Sequence, residues 1–376
     1  MKPPSPGQVV EALACERLFP FVCLVFAHLK PDEPPLKPHW YLLAMCWWLE
    51  KVGAGLLLRS MIWLQPRALK SITVAVAFPC WQLGRKPSCQ IMVVTYSERL
   101  SLQHARQRQS ILESGWYKSH FPNVKIARPG SQVTDINTTA HGRILAASVE
   151  GTITGTGADF IILDDCMKPD DASSAVERER LKSWYDGTLS SRINQRRSGS
   201  IISIQQRIHE DYLPAHLLTK GYTCLSLPAV LDQDLTVEIG PGRTHTFRRG
   251  EYLCPERFDA EDARRQRIEA GPQAYSAQYL QDPIAAEGNL MQADWWGTYE
   301  DGLERPDFQK IVQSWDTGMS SSPKSNYSAC ITFGFRRQKW YILDVFRARL
   351  DYPDLRRAVV RQWRIWEAEI VSHLVV

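Results

Sequence analysis

The chain has 376 residues, 44% hydrophobic and 23% charged, a composition that excludes wholesale disorder and predicts two domains. Its 45 Lys and Arg against 41 Asp and Glu give a net charge of +4, so any nucleic-acid-binding surface must be local. No segment reaches the roughly 18 apolar residues of a membrane span, and no signal peptide is predicted. The nine scattered cysteines, without a C-x-x-C pair, predict free thiols and argue against a zinc site.

The first half of the chain alternates short apolar runs with helical stretches. Residues 1–35 are predicted to form an N-terminal segment, and a helix is predicted over Tyr41–Lys51. Buried strands are predicted at Leu56–Leu64, Cys89–Tyr96, Phe160–Leu163 and Ser200–Ile204. Helices are predicted between them at Ser71–Trp81, Leu100–Ser114 and Ser174–Asn194. Strands that alternate with helices predict a parallel sheet covered on both faces, which we assign to a domain of residues 36–225.

The second half predicts a connector or small subdomain and then another α/β domain. In the connector, residues 226–305, prolines recur and helices are predicted only at Ala260–Ala270 and Gln273–Leu280. Residues 306–376 form the last predicted domain. Its predicted elements are strands at Lys310–Trp315, Ala329–Phe335 and Trp340–Phe346, a helix at Tyr352–Glu367, and the apolar run Ile370–Val376.

Residues 64–71, Leu-Gln-Pro-Arg-Ala-Leu-Lys-Ser, stand where a predicted strand leads into a predicted helix. A phosphate-binding loop needs backbone N–H groups at a helix N-terminus, a Lys for the β- and γ-phosphates and a hydroxyl for Mg²⁺. Lys70 and Ser71 fit the last two positions, but Leu64 and Leu69 replace both glycines of G-x-x-x-x-G-K-[ST]. Alone, the segment is more typical of a plain strand-to-helix turn that carries a solvated Lys.

Polar residues also follow two later predicted strands. Asp164 and Asp165 end the apolar run Phe160–Leu163, where a P-loop ATPase holds Mg²⁺ with the first carboxylate and activates water with the second. Gln206 follows the next strand, where an amide can sense the loss of a γ-phosphate. A surface Asp-Asp turn and a solvated polar turn are the alternatives. The order of phosphate loop, acidic strand and polar-tipped strand favours a P-loop NTPase sheet.

The sequence resembles the large terminase subunit of tailed bacteriophages and prophages, from about Pro38 to its last residue. The similar segments are LQPRALKS, TGTGADFIILDD, QQRIHEDYL, QSWDTGMSSSPKSNYSACITFG and WYILDVFRARLDYPDLRRAV. The tract from Val312 to Ala358 is the most specific part. Many members of one branch carry P-P-R-x-L-K-S, so Leu69 follows the branch pattern, whereas Gln65 departs from it. The resemblance implies an ATP-driven motor that packages double-stranded viral DNA into procapsids, with an RNase H-like endonuclease domain after the ATPase.

The resemblance also implies roles for individual residues. ATP would be bound by the phosphate loop, which consists of Pro66, Arg67, Ala68, Leu69, Lys70 and Ser71. Ser71 and Asp164 would hold Mg²⁺, and Asp165 stands at the position of the catalytic acid, where many related motors have Glu. Gln206 would couple hydrolysis to movement. The arginine that stabilises γ-phosphate charge would be Arg67 or Arg106, although each could equally be an ordinary surface cation.

In the nuclease domain, Asp316 matches the first ligand of a two-metal site for Mg²⁺ or Mn²⁺. The next acids of the family would follow the fourth strand, about where this sequence stops at Val376. Asn326 stands where relatives often have Asp, and Asp344 and Asp351 match structural positions of the family. We therefore expect an incomplete RNase H-like domain, a large terminase subunit cut off inside its nuclease, and no cleavage of DNA by this chain.

Basic residues form two groups that either contact DNA phosphates or cover a solvated helix face. They are Arg192, Arg196 and Arg197, and then Arg347, Arg349, Arg356, Arg357, Arg361 and Arg364. The partners implied by the resemblance are double-stranded DNA, the portal protein and the small terminase subunit, with a homo-oligomeric ring on the procapsid in the host bacterial cytoplasm. The alternatives are a helicase-like translocase and a catalytically dead remnant that only binds DNA or partner proteins.

Overall fold

The computed structural model describes residues 6–127, 133–149, 151, 153, 155–283, 297, 307–318 and 327–372. Within it the chain divides into two compact units, residues 1–290 and 291–376. Asn326 and the end of the predicted strand Ile370–Val376 lie outside the described residues.

The first unit is built on a central sheet of seven strands. These are β1 (Arg59–Leu64), β2 (Gln90–Thr95), β3 (Asp135–Asn137), β4 (Arg143–Ser148), β5 (Phe160–Asp164), β6 (Ser200–Gln205) and β7 (Thr223–Leu227). Their order is β3-β4-β2-β5-β6-β1-β7. Neighbouring strands pair in parallel except β3, which runs antiparallel to β4 at one edge. The predicted α/β class with a mostly parallel sheet is therefore confirmed.

The four predicted strands of the first half are β1, β2, β5 and β6. They occupy the middle of the sheet, where both faces are covered, and this explains why they are continuous apolar runs without alternation. Ile161, Ile162 and Leu163 of β5 are fully buried, and each such side chain contributes roughly 1.5–3 kcal/mol of hydrophobic free energy. Strands β3, β4 and β7 were not predicted; they are edge strands or edge neighbours with mixed burial.

Helices cover the sheet of the first unit. They are α1 (Pro6–Leu13), α2 (Leu18–Leu29), α3 (Trp40–Gly53), α4 (Phe78–Arg85), α5 (Glu98–Glu113), α6 (Gly115–His120), α7 (Ala175–Trp184), α8 (Leu213–Thr219) and α9 (Ala260–Gln278). Leu18, Phe21 and Val25 of α2 are fully buried in the same hydrophobic core as α3 and α4. The apolar stretch near the start of the chain is thus a core helix, and no helix among the described residues is long and apolar enough to cross a membrane.

Two of the predicted helices contain irregular turns. The helix predicted over Ser71–Trp81 begins with a π-helical segment, Ile72–Ala77, before it continues as α4. The helix predicted over Ser174–Asn194 is α7 followed by a π-helical turn, Tyr185–Leu189, and a short 3₁₀ turn. In the first segment the carbonyl of Ala75 accepts a hydrogen bond from Arg108 of α5. In the second, carbonyls accept from the nearby side chains of Ser190, Ser191 and Arg192.

The part of the first unit after β7 holds a hairpin and a kinked helix. The hairpin consists of β8 (Leu235–Gly240) and β9 (Arg243–Phe247), and α9 follows it. Gly271, at φ 79°, interrupts α9 immediately before Pro272, so the two helices predicted in this region are both present.

The second unit contains a four-stranded sheet and one helix. Its elements are β10 (Lys310–Asp316), β11 (Ser328–Arg336), β12 (Lys339–Ala348), α10 (Tyr352–Trp366) and β13 (Glu369–Ser372), and the strand order is β12-β11-β10-β13. β10, β11 and β12 form an antiparallel meander, and β13 returns after α10 to pair in parallel with β10. The predicted three strands, helix and fourth strand are therefore all present.

Candidate nucleotide-binding site

The loop between β1 and the helical segment that starts at Lys70 has the backbone of an anion-binding loop. Arg67 and Leu69 have φ angles of 61° and 60°, in the left-handed region that normally favours glycine. In the described structure, the N–H groups of Arg67, Ala68 and Leu69 donate no hydrogen bond. Left-handed residues let successive N–H groups point at one anion, so these donors are available for a phosphate.

Leu69 stands at the second glycine position of the phosphate-loop pattern and adopts the conformation that glycine would have there. A left-handed non-glycine residue costs roughly 1–2 kcal/mol, and the surrounding structure maintains it here. At residue 69 the sequence therefore departs from the glycine pattern, whereas the backbone has the left-handed conformation that glycine favours.

The sheet topology brings the acidic strand and the polar-tipped strand to this loop. β6 lies between β1 and β5, and all three are parallel, so their carboxyl ends meet at the same edge. Ligands of open α/β sheets bind at this edge. Asp164 ends β5, and Gln206 directly follows β6.

Two direct contacts join the phosphate loop to the acidic pair. Lys70 Nζ lies 2.9 Å from Asp165 Oδ2 and 3.1 Å from its Oδ1. Ser71 Oγ donates a hydrogen bond of 3.0 Å to Asp164 Oδ1. The backbone N–H of Gln206 donates to Asp165 Oδ1 at 3.3 Å. The structure thus brings together five residues predicted from three separate motifs: Lys70, Ser71, Asp164, Asp165 and Gln206.

Asp164 is fully buried and only partly satisfied. Its Oδ2 has no hydrogen-bond partner among the described residues, although His104 Nδ1 of α5 lies 3.5 Å away. Burial, followed by the charge of Asp165, raises the pKa of Asp164. Burial also lowers the pKa of His104 to about 4, so this imidazole is neutral at pH 7. A buried carboxylate with a free oxygen is expected where a cation completes the site.

These residues fit a Mg²⁺ ion bound with a nucleotide. Mg²⁺ prefers oxygen ligands and usually takes one or two from the protein, the rest from water and phosphates. Ser71 Oγ and the Asp164 carboxylate supply such oxygens, and the ion would neutralise charge on the phosphates. Lys70, now paired with Asp165, is close enough to the loop to contact a phosphate instead.

Two functional residues were missed by the sequence reasoning, and both lie on the buried face of α5. His104 contacts the acidic pair, and Arg108, only 1% exposed, donates from Nη1 to the carbonyl oxygen of Ala75 at 2.7 Å. That carbonyl belongs to the π-helical segment, so Arg108 supports the helix that follows the phosphate loop. The spacing of four residues between His104 and Arg108 was the available signal, since it places both on one helix face.

The two arginines predicted to stabilise γ-phosphate charge do not contact the acidic pair. Arg106 is exposed, two positions away from the face of α5 that carries His104 and Arg108. Arg67 is exposed on the phosphate loop itself. Neither makes a contact with Asp164 or Asp165 in the described structure.

In the second unit, Asp316 is an exposed residue at the end of β10, opposite Ala329 of β11. Asp344 Oδ2 accepts a hydrogen bond of 3.4 Å from Trp366 Nε1, and Asp351 caps α10 by accepting from the backbone N–H of Asp354. Among the described residues, Asp316 belongs to no cluster of three or more His, Cys, Asp or Glu side chains at ligand distance.

Comparisons with known proteins find similarity to phage large terminases. The chain is 22% identical over 233 residues to the large terminase subunit of Enterobacteria phage T3, which covers 58% of this chain and 40% of that protein. No family model matches. The solved structure of the bacteriophage HK97 large terminase is similar with a TM-score of 0.45 and 14% identity, over 96% of this chain and 74% of the other.

A further similar structure is a mutant of the ATPase domain of the Thermus phage P74-26 large terminase. Its TM-score is 0.42 with 14% identity, and the likeness covers 69% of this chain and 98% of that domain. The match with the phage T3 protein confirms the predicted resemblance to large terminase subunits. The chain spans 40% of the length of that relative.

Proposed function

We propose that the chain is the motor subunit of a phage DNA-packaging machine, which hydrolyses ATP with Mg²⁺ to move double-stranded DNA into a procapsid. The contacts of Lys70 with Asp165 and of Ser71 with Asp164 carry this proposal, because they unite the phosphate loop with the acidic strand. The free N–H groups of the loop and the unsatisfied Asp164 oxygen support it.

The proposed roles follow from position. Lys70 and the N–H groups from Arg67 to Leu69 bind the phosphates, and Pro66, which has no N–H to donate, shapes the start of the turn. Ser71 and Asp164 hold Mg²⁺. Asp165 orients or deprotonates the attacking water once a nucleotide has drawn Lys70 away from it.

Gln206 is proposed to transmit the state of the site. Its backbone already contacts Asp165, and β6 connects it to the centre of the sheet. Loss of the γ-phosphate would change the position of Asp165 and, through it, this strand end. Arg67 remains our candidate for the arginine that stabilises γ-phosphate charge, because it belongs to the loop.

We propose double-stranded DNA as the substrate that the motor moves. Arg356, Arg357, Arg361 and Arg364 are exposed along one side of α10 and line one shallow depression, and Arg196 and Arg197 are exposed after α7. Phosphate contacts from such groups bind DNA without regard to sequence. A portal protein, a small terminase subunit and a ring of identical subunits in the host cytoplasm are the further partners and setting of this proposal.

The domain division and the nuclease are proposed as well. The ATPase occupies residues 36–225 after an N-terminal segment, a connector follows over 226–305, and residues 306–376 belong to an RNase H-like domain. Asp316 is the proposed ligand for Mg²⁺ or Mn²⁺ in that domain.

The test is ATP hydrolysis by the full chain with Mg²⁺ and linear double-stranded DNA. Lys70→Ala should lower the rate by about 100-fold or more, because the loop loses the ammonium group that it offers the transferred phosphate. Lys118→Ala, which removes an exposed lysine of α6, is the matched control and should keep the parental rate. Equal rates in the parent and in Lys70→Ala would refute the assignment and would favour the alternative of a remnant that only binds DNA.

DNA binding is tested separately through its salt dependence. The logarithm of the affinity should fall linearly with the logarithm of salt concentration, with a slope of about 0.9 per phosphate contacted. The double variant Arg356→Ala/Arg361→Ala should reduce that slope by about two, whereas Arg264→Ala on α9 should leave it unchanged. An affinity that does not respond to salt would contradict electrostatic binding.

A further inference from the structure

Three side chains of the first unit that do not belong to the nucleotide site come close together in the structure. They are His39, Cys254 and Glu256, whose ligand atoms all lie within 4.8 Å of one another. His39 immediately precedes α3, and the other two belong to a turn that follows β9. His39 Nδ1 lies 3.8 Å from Glu256 Oε2, and Cys254 Sγ lies 3.6 Å from the same oxygen.

This donor set is one that zinc(II) prefers. Zinc binds imidazole nitrogen and carboxylate oxygen at about 2.0 Å and thiolate sulfur at about 2.3 Å in a tetrahedron, which places neighbouring ligand atoms roughly 3.3–3.6 Å apart. The two distances from Glu256 Oε2 come close to this spacing without a change of backbone. Calcium and magnesium are disfavoured, because they take oxygen ligands and leave a thiol aside.

The surroundings hold the three donors in place. Cys254 is 3% exposed, and its carbonyl oxygen accepts hydrogen bonds from the N–H groups of Arg257 and Phe258, which fix a tight turn through Pro255. The ring of His39 stacks on Tyr41 at 6.1 Å and 21°, and this contact restrains its orientation.

The access to the cluster also suits an ion. Glu256 is exposed and the side chain of His39 is 19% exposed, so the thiol lies at the inner end of a site that opens to solvent. A fourth, water-filled coordination position can therefore face outward. In zinc sites with three protein ligands, the ligands are usually held by further contacts within the protein, and the fourth coordination position is open to solvent.

We propose that His39, Cys254 and Glu256 bind one zinc(II) ion, with water as the fourth ligand. The ion would clip the start of α3 to the turn that follows the β8–β9 hairpin, and thereby fix the hairpin region on the core of the unit. This inference is independent of the proposed packaging function. It also revises the sequence-based expectation against a zinc site. That expectation rested on the absence of cysteine pairs close together in sequence, whereas the ligands proposed here come from two segments far apart in the chain.

The experiment measures metal binding by the full chain after removal of metal with a chelator. Zinc should bind with one equivalent per chain and raise the melting temperature, because it binds the folded state. Cobalt(II) in place of zinc should produce a thiolate charge-transfer band in the near ultraviolet. Cys254→Ser should abolish that band, and Glu256→Gln should weaken zinc affinity by about tenfold or more.

Matched controls separate the site from adventitious binding. Cys224→Ser on β7 and Glu251→Gln should keep one equivalent, the cobalt band and the zinc-induced rise in melting temperature. Should Cys254→Ser fail to fold, Glu256→Gln at an exposed position decides the matter. The proposal is overturned if the folded parent binds no stoichiometric zinc, or if folded Glu256→Gln binds it as tightly as the parent.

Discussion

The edge of the sheet around β1, β5 and β6 and the end of β10 both carry an aspartate that follows an apolar strand, yet their environments differ. Asp164 is fully buried, contacts Ser71 and lies beside His104 with one oxygen unsatisfied. Asp316 is exposed, and in the part of the chain that the structure describes it belongs to no cluster of three or more metal-ligating side chains.

The difference shows what a functional site requires beyond a sequence motif in which an aspartate follows an apolar strand. A carboxylate at a strand end acquires a particular chemistry only when other elements desolvate it and supply partners, since burial and neighbouring charges are what change its protonation and its affinity for cations. At the first edge, three strands, the loop and α5 do so together. The same residue type at the second edge remains an ordinary solvated acid among the described residues.

The largest expected effect compares these two aspartates directly. Asp164→Asn should lower Mg²⁺-dependent ATP hydrolysis by about 100-fold or more, because the amide cannot replace the charge that holds the ion. Asp316→Asn should leave the rate of ATP hydrolysis within about twofold of the parent. The measurement is steady-state phosphate release at saturating Mg²⁺ and ATP. A similar loss in both variants would show that the comparison is false.

The second prediction compares two arginines of α5. Arg108→Ala should destabilise the protein by about 3–5 kcal/mol, because it leaves a cavity and an unpaired carbonyl of Ala75. Arg106→Ala, at an exposed position of the same helix, should change stability by less than about 0.5 kcal/mol. Urea unfolding of the full chain measures both. Equal losses would mean that the buried face of α5 does not support the loop.

The third prediction concerns pH. The raised pKa of Asp164 means that the folded state holds a proton that the unfolded state has released. The contribution of Asp164 to stability without nucleotide should therefore fall as pH rises from about 4, the ordinary pKa of Asp, toward 7, whereas the lowered pKa of His104 acts in the opposite direction up to about pH 6.5. Asp164→Asn removes this dependence and should stabilise the protein at pH 8 by on the order of 1–3 kcal/mol. Thermal unfolding at pH 5 and pH 8 tests it; a variant less stable than the parent at pH 8 would contradict it.

The central strands of the sheet could be predicted from the sequence, but the residues that surround the nucleotide site could not. The runs at β1, β2, β5 and β6 are apolar because both faces are covered, and their order along the chain indicated where Lys70, Asp164 and Gln206 would meet. The left-handed backbone conformation of Leu69 could not be predicted, because a leucine gives no local signal for that conformation.

The contribution of α5 to the surroundings of the site could not be predicted from the sequence either. His104 and Arg108 acquire their environment from strands and turns far away in sequence, so no local pattern distinguishes them from Arg106. The π-helical segment has the same origin, because its Ala75 carbonyl finds a partner only in the tertiary structure.

The smallest expected effect lies in the second unit. Asp351 caps α10, so Asp351→Ala should cost about 1 kcal/mol in the local stability of the helix. Hydrogen exchange of the first α10 amides in the full chain should accelerate by roughly fivefold. ATP hydrolysis should remain at the parental rate, and Arg356→Ala in the same helix should leave exchange unchanged. Unaltered exchange in Asp351→Ala would contradict the assignment of this acid to a capping role.

The central claim is that residues 66–71 and the Asp164–Asp165 pair form one nucleotide site. Calorimetric titration of the full chain with a non-hydrolysable ATP analogue, with and without Mg²⁺, tests this claim most directly. We expect one site per chain, tighter binding when Mg²⁺ is present, and a loss of affinity of about tenfold or more in Lys70→Ala but none in Lys118→Ala. Binding that is equally tight in Lys70→Ala and indifferent to Mg²⁺ would contradict it.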